Sequence, residues 1–256
     1  MLIDNPWFYA IAVPAILCTG ISKGGLGAGA GLMATPLLAL IVPPAQAAAV
    51  MLPILCTMDL FGVGAYRKRF DRENIRIMVP GAVVGIVAGA LGFQYMNEHA
   101  LRLLLGCIAI GFTTRHWLGS RGGREQPPAP RHAGRGAFWA GVSGFTSTIA
   151  HAGGPPVAVY LLPQRLDKTT FVATTVMFFF AVNYMKLIPY TIIGQFSGEN
   201  LWTSAVLLPL APAGMMLGIW LHKRITGAWF YRVVYVLVFL TGCRLVWVGG
   251  SRLLGA

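Results

Sequence analysis

Long apolar runs alternate along the chain with short polar or glycine-rich segments. A helix needs about 20 apolar residues to cross a bilayer, and the longer runs reach that length. They lie at roughly 45–66, 75–96, 99–119, 169–194, 200–221 and 226–249. Shorter runs lie at roughly 6–21, 26–42, 136–150 and 155–163. This pattern predicts an all-α polytopic membrane protein.

The composition supports this class. Hydrophobic residues make up 56% of the chain and charged residues 11%, which is too apolar for a soluble domain. The first run has Asp4 and no Lys or Arg before it, so it lacks the basic region of a signal peptide, and we expect it to be retained. The cysteines lie singly in apolar runs, without metal-binding spacing, so neither a metal nor a cofactor is expected.

The two halves of the sequence resemble each other. A shift of 124 residues aligns the earlier part of each half, and a shift of 129 aligns the later part. The matched pairs are Gly20/Gly144, Gly29/Gly153, Asp59/Asn183, Pro80/Pro209, Gly85/Gly214 and Gly89/Gly218. Their common order predicts an internal repeat, as in many transporters. For the last two pairs, close helix packing is the expected role.

Loop charges give the orientation of the halves. The loop at 66–76 carries five basic residues, whereas its counterpart at 194–200 carries none. The loop at 96–99 carries Glu98, whereas its counterpart at 222–225 is basic. Positive loops stay in the cytoplasm, so the two repeats are predicted to be inverted. The net charge of +12 is explained in this way, and no nucleic-acid partner is expected.

The predicted organisation has three parts. Residues 1–119 form the first membrane repeat, 120–135 a basic cytoplasmic linker, and 136–256 the second, inverted repeat. Each repeat contains two short segments, broken or re-entrant, followed by three long transmembrane helices. A cytoplasmic linker requires an odd number of crossings per repeat, which five full spans satisfy. Three spans plus a re-entrant hairpin satisfy it equally.

The glycine-rich breaks at 22–31 and 146–156 occupy matching positions, which is the best sequence indication of a transporter site. Irregular backbone within a membrane must be buried in protein or line a cavity. Backbone amides at such a break attract anions, and lysine adds positive charge. The predicted substrate-binding residues are Lys23, Gly24, Gly25, Gly27, Gly29, Asp59, Thr146, Ser147, Thr148, His151, Gly153, Gly154, Asn183 and Lys186.

Besides Lys23 at the first break, three of these residues are ionisable: Asp59, His151 and Lys186. Asp59 and Lys186 lie in equivalent long spans, and a pair between them would neutralise both. His151 is either a proton carrier or a neutral hydrogen-bond donor. We expect it to donate a hydrogen bond to the substrate.

The chain resembles the TauE/SafE family of sulfite exporters from about Cys18 to Val248. The segments that carry this resemblance are GLGAGAGLMATPLL, ILCTMDLFGVGAYRKRFD and HAGGPPVAVYLLPQRLDKTTF. Ala30 stands where the family's first motif has another glycine. The resemblance implies export of sulfite, sulfonates or related sulfur-containing anions across the bacterial cytoplasmic membrane.

The leading hypothesis is therefore a secondary transporter, not an enzyme, that works by alternating access at a midplane site. An anion channel is one alternative. An intramembrane lipid-phosphate enzyme is another, but no nucleophile–base pair or carboxylate cluster is visible in the sequence, and no catalytic residue is assigned. The expected partners are a small anion and membrane lipid, with a homodimer as one option.

Overall fold

The computed structural model describes residues 2–26, 34–39, 41–92 and 127–253, with scattered residues between 99 and 118. These parts of the chain contain helices and no strand. The helices are α1 Pro6–Ile21, α2 Ala34–Leu38, α3 Pro44–Tyr66, α4 Arg72–Gly92, α5 Ala133–Ala150, α6 Gly154–Leu161, α7 Lys168–Ile192, α8 Gly198–Leu207, α9 Leu210–Arg224 and α10 Gly227–Leu253.

Within the described residues, four helices are long and apolar enough to cross a membrane, or five if the bent pair α8–α9 counts as one span. They are α1 with its extension to Leu26, α3, α4 and α7. The prediction of an all-helical membrane protein is confirmed, and the bounds of α3, α4 and α7 lie close to the predicted runs. Only scattered positions, about half of the run at 99–119, are described.

The predicted span at 200–221 is not straight. α8 and α9 meet at an angle of 43°. Pro209 lies at the junction and has no N–H to bond to the preceding turn, which accounts for the bend. Leu208 N bonds to Ala205 O at 3.3 Å, which shows a tighter turn there.

The helices pack in a reciprocal pattern between the two halves. α1, the first helix of the first half, packs along α9 in the second half. α5, the first helix of the second half, packs along α4 in the first half. α3 packs against α7, and these are the third helices of their halves. The central crossing of α3 and α7 therefore lies between two matching outer contacts.

Glycines allow the outer contacts to be close. A Cβ at Gly20 would lie 2.8 Å from the backbone of Gly214, and a Cβ at Gly218 would lie 2.5 Å from Ile21 O. A Cβ at Gly85 would collide with Gly141 O on α5. The packing role predicted for the glycine pairs of α4 and α9 is thus confirmed for these contacts.

Four polar loops lie together at one end of the molecule, which we call the basic end. Arg131 pairs with Asp71 at 2.6 Å and with Glu73 at 2.5 Å. The hydrogen bond with Asp71 raises the pKa of Arg131. Lys168 Nζ donates to Ile225 O at 2.5 Å, which joins the loop before α7 to the loop after α9. The basic end thus comprises the loops at 67–71, 127–132, 165–167 and 225–226.

We predict that Gly85→Ala destabilises the protein by about 1–3 kcal/mol, because the added methyl overpacks the α4–α5 contact. Gly64→Ala is the matched control, since Gly64 is an exposed helical glycine and a Cβ added there would have nothing within 4 Å. The control is expected to be neutral or slightly stabilising. Thermal unfolding in detergent measures both, and equal stability of the two variants would contradict the role of Gly85.

Candidate functional site

The first break lies where α1 continues into a π-helical turn at Ser22–Leu26. A π turn interrupts the regular hydrogen-bond ladder of the helix. Two side chains from other helices bond to its carbonyls. The Tyr66 hydroxyl donates to Gly24 O at 2.7 Å, and His222 Nδ1 lies 3.0 Å from Gly25 O. The turn is buried, so its carbonyls need such partners inside the protein.

Lys23 reaches from this turn into the crossing of α3 and α7. Its ammonium lies 2.6 Å from Asp59 Oδ1 and 3.4 Å from Leu55 O. Asn183 Nδ2 donates to the other carboxylate oxygen, Asp59 Oδ2, at 2.7 Å. Asp59 is fully buried. The two residues that a 124-residue shift aligns, Asp59 and Asn183, are thus directly bonded at the centre of the structure.

The predicted ion pair between Asp59 and Lys186 is wrong. Asp59 pairs with Lys23, a residue of its own half. The reason is local, because the π turn places the Lys23 side chain beside α3, where the Asp59 carboxylate lies. Lys186 bonds to the second break instead.

The second break lies between α5 and α6. α5 ends at Ala150 and is followed by the C-cap residue His151, whose backbone is left-handed with φ 51°. The Thr146 hydroxyl donates to Ala152 O at 3.1 Å and so braces the turn. The Tyr190 hydroxyl donates to Thr148 O at 2.7 Å. As at the first break, side chains satisfy carbonyls that leave the regular helix.

Lys186 is the central charge of the second break, and its side chain is fully buried. Its ammonium donates to Ser147 O at 3.0 Å and to Ser147 Oγ at 2.9 Å. It also lies 2.8 Å from His151 Nδ1. Among the described residues no carboxylate forms an ion pair with Lys186, so its hydrogen-bond partners are neutral acceptors.

The contacts of His151 define its tautomer. Nε2 lies 2.9 Å from Ala48 O, and a carbonyl only accepts, so Nε2 carries the proton. Nδ1 then accepts from the Lys186 ammonium. The sequence predicts that His151 donates to the substrate, but in this structure its N–H donates to Ala48. His151 therefore acts here as a neutral acceptor that positions Lys186.

The glycines of the first break pack against α9. A Cβ at Gly24 would lie 2.5 Å from Met215 O, and a Cβ at Gly25 would lie 2.6 Å from Gly218 O. Close helix packing thus accounts for both glycines. Their part in substrate binding stays a prediction.

The glycines of the second break show a similar constraint. A Cβ at Gly153 would lie 2.6 Å from Ser143 Oγ, which itself donates to Gly153 O at 2.8 Å. Gly154 is the first residue of α6. Gly27 and Gly29, also predicted to bind substrate, lie outside the described residues.

The site includes residues that were not predicted, above all Tyr66 and Tyr190. Each tyrosine donates to a carbonyl 42 positions earlier in the chain. The two tyrosines are themselves 124 residues apart, so the repeat alignment carried a signal for them. No comparable signal pointed to His222, whose role depends on the packing of α9 against the first break.

A bundle of membrane-length apolar helices encloses buried charges at two interrupted helices, and this defines an integral membrane protein with a polar site inside the bilayer. A family profile described as "Sulfite exporter TauE/SafE" matches residues 12–245, nearly the whole chain. The chain belongs to this family of transporters, and the predicted resemblance is confirmed. Neither a curated protein nor a solved structure matched the chain.

Replacement of His151 tests its contact with Lys186. Asparagine tolerates the left-handed backbone and keeps an acceptor near the Nδ1 position, whereas glycine fits the backbone but has no acceptor. We expect His151→Gly to be less stable than His151→Asn by about 1–3 kcal/mol, because it leaves a buried donor unsatisfied. Thermal unfolding in detergent measures the difference.

A double-mutant cycle provides the control. In a Lys186→Met background the ammonium is gone, so the Asn and Gly variants of His151 are expected to differ only by their backbone preferences. If the same difference appears with and without Lys186, the stabilising contact of His151 is not with Lys186.

Proposed function

We propose that this protein exports small sulfur-containing anions, such as sulfite or a sulfonate, by alternating access at the site between the two breaks. The observation that carries the proposal is the fully buried Lys186 ammonium, which has neutral acceptors and no carboxylate partner among the described residues. A buried charge without a counter-ion is costly in a membrane. A bound anion supplies that counter-ion.

The family supports the sulfur chemistry of the substrate. Its description names sulfite export, and its profile covers residues 12–245. The structure supports recognition of an anion, since Ser147 and His151 hold the Lys186 ammonium in place. Three neutral hydrogen bonds satisfy the donors of Lys186 but leave its charge available to a ligand.

Burial favours a gated transporter over an open channel. The side chains of Lys23, Asp59 and Lys186 are all buried in this conformation. A pore open to both sides would expose the charges that line it to water. We therefore take this conformation to be occluded, with access to the site depending on movement of the breaks.

Contacts of the described residues support an inverted arrangement of the repeats. The paired bonds Tyr66–Gly24 and Tyr190–Thr148 follow the 124-residue shift. The chain just before α5 bonds to the chain just after α6, since Ala129 N donates to Pro163 O at 2.9 Å. α5 and α6 therefore form a hairpin that starts and finishes at the basic end, and we propose that α1 and α2 form its counterpart from the opposite end.

The first prediction for function concerns Lys186→Met. We expect binding and export of sulfite to fall about ten- to hundred-fold, because the positive charge that attracts the anion is lost. Efflux of radiolabelled sulfite from proteoliposomes measures the change. Lys68→Met is the matched control, since Lys68 is an exposed lysine in a loop of the basic end. Wild-type efflux by Lys186→Met would exclude Lys186 from the site.

The second prediction concerns topology, with cysteines introduced into a background that lacks the native ones. Lys68→Cys and Pro128→Cys are expected to label from the cytoplasmic side, whereas Glu199→Cys labels from the outside. All three positions are exposed, so differences in labelling report sidedness. Labelling of all three from one side would refute the inverted arrangement.

A further inference from the structure

The charges of the site form one buried cluster. Lys23 pairs with Asp59, which accepts from Asn183 on α7. Lys186 lies one helical turn beyond Asn183, on the same face of α7. Asn183 therefore links Asp59 on α3 to the face of α7 that carries Lys186. We call these three charged side chains, together with Asn183, the charge cluster.

The charge cluster has a defined net charge. Counted as formal charges, with both lysines protonated and Asp59 ionised, two positive charges and one negative charge leave one positive charge. His151 adds none, because its Nδ1 accepts from an ammonium and it is therefore neutral. Among the described residues, no other Asp, Glu, Lys or Arg is buried. The undescribed residues 27–33 next to Lys23 contain no ionisable side chain.

We propose that the charge cluster selects a monovalent anion, hydrogensulfite or a singly charged sulfonate, over a divalent anion such as sulfite or sulfate. This inference rests on the proposed function and specifies its substrate. A monoanion brings the buried site to zero net charge, whereas a dianion leaves an uncompensated negative charge there. Charge left without a partner in a low-dielectric interior is strongly unfavourable. The Lys23–Asp59 pair therefore sets selectivity, since Asp59 cancels one of the two lysines.

Methanesulfonate and sulfate are suitable probes, because both have a tetrahedral sulfur. Methanesulfonate has a methyl group where sulfate has one more charged oxygen, so the two differ by one negative charge. Binding to purified protein in detergent is measured by calorimetry. The wild type is expected to bind methanesulfonate about ten- to hundred-fold more tightly than sulfate. Asp59→Asn raises the net charge to two positive, so its preference is expected to move toward sulfate by tenfold or more.

The double variant Lys23→Met/Asp59→Asn provides the decisive comparison. It restores one net positive charge through Lys186 alone, so the preference for methanesulfonate is expected to return. Glu199→Gln is the control, since it removes one exposed carboxylate that is not part of the cluster, and its preference is expected to equal that of the wild type.

The outcomes separate this inference from the proposed function. Tighter binding of sulfate by the wild type, or a preference unaffected by Asp59→Asn, would overturn the selectivity while anion export still stands. If Asp59→Asn does not fold, the wild-type ratio and the double variant decide the question. If the wild type binds neither probe and does not export sulfite, both the selectivity and the proposed function are refuted.

Discussion

An ammonium group buried in a bilayer has no water to solvate it, and the fold meets this constraint at the crossing of α3 and α7. Lys23 is neutralised by Asp59, and Asp59 is held by Asn183. These bonds join the π turn after α1 to the central helices of both halves. The same bonds therefore stabilise the first helix break and neutralise the charges buried beside it. The second lysine, Lys186, takes neutral partners, and this difference is the reason we propose it as the counter-ion of a substrate.

The irregular backbone of the two breaks is satisfied by the same kind of hydrogen bond. Each leaves carbonyl groups outside the regular helix, and each has a tyrosine from the adjacent long helix that donates to one of them. These tyrosines lie near the ends of α3 and α7, on helices that meet at the charge cluster. A movement of either long helix would therefore act on a break and on the cluster together. This anchoring of the breaks through α3 and α7 is the coupling that the proposed alternating access requires.

Sequence patterns predicted the regular parts of this fold well. The length of an apolar run decides where a membrane helix lies, so α3, α4 and α7 were predictable. The bend between α8 and α9 was missed, although Pro209 lies at it, because apolarity continues across the proline. The partner of Asp59 was also missed. Pairing depends on which way a side chain leaves the π turn at Ser22–Leu26, and neither hydropathy nor the repeat alignment encodes that direction.

The two buried lysines of the candidate site are not repeated between the two halves of the sequence. The position equivalent to Lys186 in the first half is Gly62, and its space is filled by Met215 and Val176. The position equivalent to Lys23 is Ser147. If the halves exchange shapes during transport, the exchanged state cannot reproduce the same set of contacts. The inward-facing and outward-facing forms of the empty protein must then differ in free energy, so the resting carrier favours one side of the membrane and meets its substrate mainly from there.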